Sequence, residues 1–228
     1  MDAPLLHVQD LVKRYRHGWL RPQTSFEIRA DFRFDRPAVI GVMGANGAGK
    51  TTLFELITGG NRPSEGRVLV AGQDIHQVRY AERGRLALHY HQSYQLRRFS
   101  RTRVSFLLQA ARTRQALIHL FDEPQFSTQD GYIGFMLDFF ERLRAADKLV
   151  FLCLHPNEPV HLEILEQACD EFMFVHKDES RISRLQRASS MAELLELPGV
   201  RPYLGALASV QSPEGVSSPP AWPAAHRR

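Results

Sequence analysis

Three short segments in the middle of the chain are almost entirely apolar, and they predict buried β-strands. These segments are residues 38–42, 116–121 and 149–154. Strands without a polar face are typical of a parallel sheet that helices cover on both sides. Residues 25–34 instead alternate apolar and polar positions, which predicts an antiparallel strand with one buried face. We therefore expect an α/β protein with a mainly parallel core sheet flanked by helices and an antiparallel β subdomain on its N-terminal side.

The remaining periodic segments continue this alternation of strands and helices. Helices are predicted at residues 52–58, 104–114, 132–146 and 162–169, and further strands at 5–15, 67–70, 86–90 and 172–175. Ser190 and Glu193 have the spacing of a capping box, which predicts a short helix through Leu195. From about Ser209 onward Pro, Ser and Ala dominate, so we expect one domain at residues 1–208 and a disordered tail at 209–228.

A glycine-rich loop joins the strand at 38–42 to the helix at 52–58. It has the spacing G-x-x-x-x-G-K-[ST] of a phosphate-binding loop, which predicts a P-loop NTPase. Its glycines let backbone N–H groups turn toward phosphate oxygens, and the helix N-terminus adds partial positive charge. We expect Lys50 to reach the β- and γ-phosphates and Thr51 to ligate magnesium. The candidate nucleotide-binding residues are Gly44, Ala45, Asn46, Gly47, Ala48, Gly49, Lys50, Thr51 and Thr52.

Two adjacent carboxylates end the predicted strand at 116–121. In a P-loop fold this strand lies beside the glycine loop, and its first acid, Asp122, is expected to hold magnesium directly or through water. The second acid, Glu123, is expected to polarise the attacking water as general base. The alternative interpretation is an ordinary turn, which Pro124 favours.

Composition narrows the protein class further. Cys153 and Cys169 are the only cysteines and lack C-x-x-C spacing, which favours buried thiols in a reducing compartment over a disulfide framework or a metal site. No apolar run approaches the roughly 20 residues that span a bilayer. The N-terminal residues lack the pattern of a signal peptide. We therefore expect a cytoplasmic protein.

The basic residues are unevenly distributed. Between Arg83 and Phe121 there is no Asp or Glu, while eight arginines are present, and the whole chain has a net charge of +4. Such a stretch is suited to contact anionic lipid, nucleic acid or an acidic partner. A solvated arginine-rich surface is the other interpretation.

The motifs occur in an order that resembles a known family. The loop at 44–52 is followed by Arg-Pro-Ser-Glu-Gly-Arg-Val at 62–68, Gly-Gln-Asp-Ile at 72–75 and Phe-Asp-Glu-Pro at 121–124. This series resembles the ATP-binding subunit of ABC transporters, from about Leu5 to Ile182. The resemblance implies hydrolysis of ATP with Mg²⁺ on the inner face of the cell membrane, which energises transport through a separate transmembrane permease.

The resemblance implies roles for three further residues. Tyr15 corresponds to an aromatic residue that stacks on adenine. Gln92 corresponds to a glutamine that touches magnesium and senses the transmembrane partner. His155, directly after the strand at 149–154, corresponds to a histidine that contacts the γ-phosphate, so Gln92 and His155 join Glu123 as candidate catalytic residues. The other nearby histidines, at positions 89, 91 and 119, are expected to be structural or exposed.

The sequence departs from the family pattern in two places. It contains no L-S-G-G-Q signature, and only 29 residues separate Gln92 from Asp122, which predicts a reduced helical subdomain. Either residues 99–103 are a degenerate signature with Ser100 as its serine, or the signature is deleted. Residues 127–130 have the S-x-x-D spacing of the family's dimer-contacting loop, but one position late.

The missing signature leaves three functions open. In the family, the signature of one subunit caps the γ-phosphate bound to the other, so a homodimer of this chain lacks that cap unless Arg101 or Arg103 replaces it. A heterodimer with another ABC ATPase would restore the signature. The chain is expected to be a transporter ATPase subunit. The alternatives are a nucleic-acid-associated ABC-type ATPase and a subunit that binds ATP with little turnover.

Overall fold

The computed structural model describes residues 3–17, 23–91, 116–124 and 132–209. The strands of these ranges are β1 Leu6–His17, β2 Gln23–Phe34, β3 Ala38–Met43, β4 Glu65–Val70, β5 Gln73–Asp74, β6 Ala87–His91, β7 Ile118–Asp122, β8 Leu149–Cys153, β9 Glu171–Lys177 and β10 Ile182–Ala188. The helices are α1 Lys50–Ile57, α2 Tyr80–Leu86, α3 Tyr132–Ala145, α4 Pro159–Ala168, α5 Met191–Glu196 and α6 Val200–Leu204, and a 3₁₀ turn follows at Gly205–Ser209.

The described strands form a single mixed sheet in the order β5-β4-β1-β2-β10-β9-β3-β8-β7-β6. Strands β9, β3, β8, β7 and β6 pair parallel with one another in that order. Strands β2, β1, β4 and β5 pair antiparallel. Strand β10 joins the two regions, because it runs antiparallel to β9 and parallel to β2. The predicted α/β fold, a parallel core with an N-terminal antiparallel region, is confirmed.

Hydrophobic cores on the two faces of the sheet explain why its central strands are apolar throughout. All residues of β3, β7 and β8 are buried. One face packs against α1, whose Phe54 meets Ile40 and Phe151 in one apolar cluster. The other face packs against α3 and α4, where Phe140 shares a cluster with Val39 and Leu152. Successive residues of these strands therefore bury their side chains on opposite faces of the sheet. The packing of α1 against the first face places its start at the carboxyl end of β3.

Most predicted elements are present, with shifted ends. The predicted capping box begins α5: the Ser190 hydroxyl accepts a hydrogen bond from the Glu193 backbone N–H at 3.1 Å. The Glu193 carboxylate reaches back to the Ser189 backbone N–H rather than to that of Ser190. Helix α4 begins at Pro159, three residues before the predicted start, because proline fits the first helical position.

Four strands or helices and the 3₁₀ turn at Gly205–Ser209 were not predicted. Strand β5 has only two residues, too few for a recognisable period. Helix α2 and strand β10 carry mixed polar sequences, and Leu86 is the one buried residue of α2. Helix α6 is only five residues long and contains a proline. The helix predicted at 104–114 and the tail at 209–228, apart from Ser209, lie outside the described residues, so both stay predictions. Within the described ranges no helix has the length and apolarity needed to cross a membrane.

Candidate functional site

The glycine loop between β3 and α1 has a backbone that side chains would obstruct. At Gly44 a Cβ atom would lie 2.2 Å from the carbonyl oxygen of Val175. At Gly49, where φ is 103°, a Cβ atom would lie 2.7 Å from the ring of Phe26. Glycine at these positions lets β9 and β2 approach the loop closely. The loop therefore packs closely against both β9, in the parallel region of the sheet, and β2, in the antiparallel region.

Lys50 is the first residue of α1, and its side chain is only 6% exposed. Its ammonium group donates hydrogen bonds to the carbonyl oxygens of Gly44 at 2.6 Å and Ala45 at 3.1 Å. These acceptors are neutral, whereas a buried ammonium group is best stabilised by an anion. The loop therefore holds a nearly desolvated positive charge at a helix N-terminus, which is a suitable environment for phosphate.

Thr51 and Asp122 meet at the carboxyl ends of the parallel strands. The Thr51 hydroxyl donates to Asp122 Oδ2 at 2.8 Å, and Asp122 is only 3% exposed. A hydroxyl and a carboxylate are the hard oxygen ligands that Mg²⁺ prefers, and Mg²⁺ commonly takes one or two protein ligands with phosphates and waters. The donor pair therefore fits the predicted magnesium site, in which Thr51 and Asp122 would hold the ion.

His89 approaches the same carboxylate from β6. Its Nε2 lies 3.2 Å from Asp122 Oδ2, and its ring packs edge-on against Phe54 with centroids 5.6 Å apart. We expected His89 to be structural, and the sequence gives no motif that marks it. Only the strand order, which places β6 next to β7, brings His89 to the predicted magnesium ligand.

Glu123 adopts a left-handed backbone conformation, with φ of 50°. Its backbone N–H donates to the carbonyl of Cys153 at 3.0 Å, which ties the end of β7 to the end of β8. For a non-glycine residue this backbone conformation costs about 1 kcal/mol or more, and residues with such strain are concentrated at functional sites. The side chain is half-buried and lines the same cleft as the glycine loop.

The cleft beside the loop has a volume of about 330 Å³. Its lining comprises Tyr15, Phe26, Asn46, Gly47, Gly49, Lys50, Thr51, Thr52 and Glu123. All except Phe26 were predicted as site residues. Phe26 is opposite Tyr15 in the β1–β2 register, and the two ring centroids are 6.0 Å apart. The alternation that makes Phe26 apolar is visible in the sequence, but its place in the cleft depends on this strand pairing.

Tyr15 is held by polar neighbours. Its hydroxyl accepts a hydrogen bond from the Asn61 side chain at 2.5 Å, and the Lys13 ammonium lies 4.9 Å from its ring centroid. The ring remains 37% exposed. An aromatic side chain that is fixed and still accessible is suited to stack on a planar base.

Of the described residues that were predicted to bind nucleotide or to act in catalysis, Gly44, Ala45, Ala48 and His155 do not line this cleft. Ala45 and Ala48 line a second groove of about 430 Å³, which is shared with β9 and α6. His155 is exposed just beyond β8, and its Nδ1 lies 3.0 Å from the hydroxyl of Tyr203 on α6. Burial raises the pKa of Tyr203 to about 12. No motif in the sequence marks Tyr203.

His119 has a different environment from His89 and His155. It is fully buried on β7 beside the stacked rings of Tyr90 and Phe121 and nearly parallel to both, and its Nδ1 lies 3.0 Å from the Tyr90 hydroxyl. Burial lowers its pKa to about 4. This neutral histidine is part of the core, as expected from the sequence.

A protein-family model described as "ABC transporter" matches residues 29–193. The chain belongs to the ABC transporter family. The lipoprotein-releasing system ATP-binding protein LolD of Coxiella burnetii (strain RSA 493 / Nine Mile phase I) is 38% identical over 85 residues, which are 37% of this chain and 36% of LolD. The chain thus spans little more than a third of the length of this curated relative.

Solved structures of ABC proteins have the same fold. An ATP-binding cassette in a dimeric post-hydrolysis state with ADP and Pi superposes with a TM-score of 0.57 at 12% identity, over 80% of this chain and 98% of that one. A bacterial Atm1-family ABC exporter with ATP bound gives a TM-score of 0.64 at 16% identity, over 95% of this chain and 43% of the exporter. At these identities the likeness concerns the fold.

Several positions characteristic of ABC proteins lie outside the described residues. Gln92, the possible signature at 99–103 and the S-x-x-D segment at 127–130 are among them, and their roles stay predictions. Most of the arginine-rich stretch is also outside. Its first member, Arg83, donates to the carbonyl oxygens of Gly59 at 2.5 Å and Val78 at 3.0 Å. Arg83 therefore joins α2 to the end of α1 within this ABC domain.

Proposed function

We propose that the chain binds ATP with Mg²⁺ and hydrolyses it, as the ATP-binding subunit of an ABC transporter that acts through a separate membrane permease. The observation that carries this proposal is the convergence of Lys50, the Thr51–Asp122 pair and Glu123 at one cleft. Membership of the ABC transporter family supports the same function.

Binding would use the residues that line the cleft. Lys50 would exchange its carbonyl partners for phosphate oxygens, and the loop N–H groups and the start of α1 would add further positive potential. Tyr15 and Phe26 would supply an aromatic wall for adenine. Binding energy from the base and the phosphates would hold the γ-phosphate in place for attack.

The reaction would be displacement at the γ-phosphorus by water. Glu123 would accept a proton from that water as its oxygen attacks, and the bond to the β-phosphate oxygen would break to give ADP and phosphate. His155 would donate a hydrogen bond to the γ-phosphate. Magnesium, when bound, neutralises charge on the phosphate oxygens.

Full activity would need a partner. We propose that the chain dimerises, with itself or with another ABC ATPase that supplies a signature, because its own sequence lacks L-S-G-G-Q. The permease would place the dimer at the inner face of the membrane. The same missing motif favours a second candidate function, in which the subunit binds ATP with little turnover of its own.

The test uses purified chain, titrated calorimetrically with ATP at several magnesium concentrations and assayed for phosphate release. We expect magnesium-dependent binding that Lys50→Ala weakens strongly, while Lys148→Ala, outside the cleft, leaves it unchanged. Equal affinity in both variants would overturn the nucleotide site. If the chain binds ATP but releases no phosphate in a Glu123-dependent reaction, the second candidate function is supported. Salt-sensitive binding of nucleic acid would instead support a nucleic-acid-associated ATPase.

A further inference from the structure

We infer that Tyr203 is a positioning residue for His155: its hydroxyl fixes the orientation and the tautomer of the imidazole so that Nε2–H is presented to the terminal phosphate. The inference rests on the proposed function. The Tyr203 hydroxyl lies 3.0 Å from His155 Nδ1, and the rings meet edge to face with centroids 5.6 Å apart. Tyr203 is remote in sequence from each of the predicted motifs.

Tyr203 is the rigid member of the pair. Helix α6 is anchored by the buried side chains of Val200 and Leu204, and the Tyr203 ring packs against Phe174 of β9 with centroids 5.5 Å apart. His155 instead is exposed in an irregular segment that follows β8. A contact between an exposed histidine and a tyrosine held by the core restricts the histidine, since the tyrosine has little freedom to follow it.

The hydroxyl also selects a tautomer. A phenol keeps its proton at neutral pH, and burial raises the pKa of Tyr203 further, to about 12, so its O–H can donate a hydrogen bond to Nδ1 at 3.0 Å. A neutral imidazole whose Nδ1 accepts must carry its own proton on Nε2. That N–H can donate to a phosphate oxygen, whereas the opposite tautomer would present a lone pair to the phosphate and be repelled.

The same hydroxyl lies close to other parts of the site. The backbone amide of Gly44 opposes part of the rise in the Tyr203 pKa, and the charge of Glu123 adds to it. Tyr203 also lines the second groove together with Ala45 and Ala48, so it lies behind the loop and beside His155.

Tyr203→Phe removes only the hydroxyl and tests the inference kinetically. We expect kcat for ATP to fall about tenfold or more, because the contact acts on orientation at the reacting phosphate. We expect KM to change less than about twofold, since Tyr203 does not line the cleft. In a His155→Ala background the same change should have almost no further effect. Tyr80→Phe is the matched control, because Tyr80 is 85% exposed.

A spectroscopic measurement does not depend on turnover. In protein labelled with ¹⁵N-histidine, the ring resonances of His155, assigned by their loss in His155→Gln, should show the Nε2–H tautomer, and Tyr203→Phe should shift them toward a mixture. If the wild-type protein does not hydrolyse ATP but His155 has the Nε2–H tautomer, the proposed function is overturned while the contact between Tyr203 and His155 is supported. Unchanged resonances in Tyr203→Phe, or an equal loss of kcat with and without His155, would overturn the inference.

Discussion

The two sides of the glycine loop are built from different kinds of residue. The front, which faces the cleft, is formed mostly by the loop itself, with Glu123 and the Tyr15–Phe26 pair. The rear, which faces the second groove, is formed by β9 and by the short helix α6 near the end of the described chain. The front thus carries the polar groups of the proposed reaction, while the rear packs against the loop and contacts His155.

The largest expected effect concerns the front. Glu123→Gln keeps the size and the backbone preference of the side chain but removes the proton acceptor. We expect kcat for ATP to fall by about 10²–10⁴-fold, the usual contribution of a general base, with ATP affinity nearly unchanged. Single-turnover assays together with calorimetry would measure both. A loss of less than threefold would mean that Glu123 is not the base.

Alanine variants of two loop glycines compare how tightly the rear and the front of the loop are packed. Gly44→Ala places a Cβ atom 2.2 Å from a backbone oxygen of β9, whereas a Cβ atom at Gly47 meets nothing within 4 Å. We expect Gly44→Ala to lower the free energy of unfolding by about 3 kcal/mol or more. Gly47→Ala should cost only the left-handed backbone penalty of about 1 kcal/mol. Urea unfolding measures the difference, and equal losses would contradict the close contact with β9.

A smaller effect is expected at His89, which supports the predicted magnesium ligand. His89→Leu removes the ring nitrogen near Asp122, and His89→Gln retains a polar group that can donate. We expect the leucine variant to require about tenfold more Mg²⁺ for nucleotide binding, as loss of an outer hydrogen bond to a metal ligand typically does. The glutamine variant should recover part of this loss. Identical magnesium titrations for both variants would exclude an orienting role.

The smallest expected effect is at Tyr15. Tyr15→Leu removes the aromatic face, and Tyr15→Phe keeps it while losing only the hydroxyl that accepts from Asn61. Because aromatic stacking is worth about 0.5–1.5 kcal/mol, the leucine variant should weaken ATP binding by about two- to tenfold. The phenylalanine variant should stay close to wild type. Weaker binding in both variants would assign the role to the hydroxyl instead.

The front could be predicted from the sequence because most of its groups are close together along the chain. The glycine loop lies between a buried strand and a helix, and Asp122 and Glu123 directly end another buried strand. The rear and the supporting contacts could not be predicted in this way. His89 reaches Asp122 only through the order of the strands, and Phe26 reaches the cleft only through its pairing with β1.

Tyr203 shows a second reason for failure. Helix α6 is too short for a recognisable period, and Pro202 argues against a helix when the sequence is read alone. Its contact with His155 joins residues 48 positions apart. Strand β10 was missed for a related reason, because its mixture of buried and exposed positions follows neither a continuous apolar run nor a strict alternation.

Strand β10 also has a mechanical consequence. Its parallel ladder with β2 contains only two residue pairs, Ile182 with Glu27 and Ser183 with Ile28. The aromatic wall of the cleft belongs to the antiparallel side of this seam, whereas Lys50 and Glu123 belong to the parallel side. Because this ladder is so short, the aromatic wall and the phosphate loop are held in one geometry mainly by the apolar cluster that contains Ile28 and Ile40, and only to a small extent by backbone hydrogen bonds.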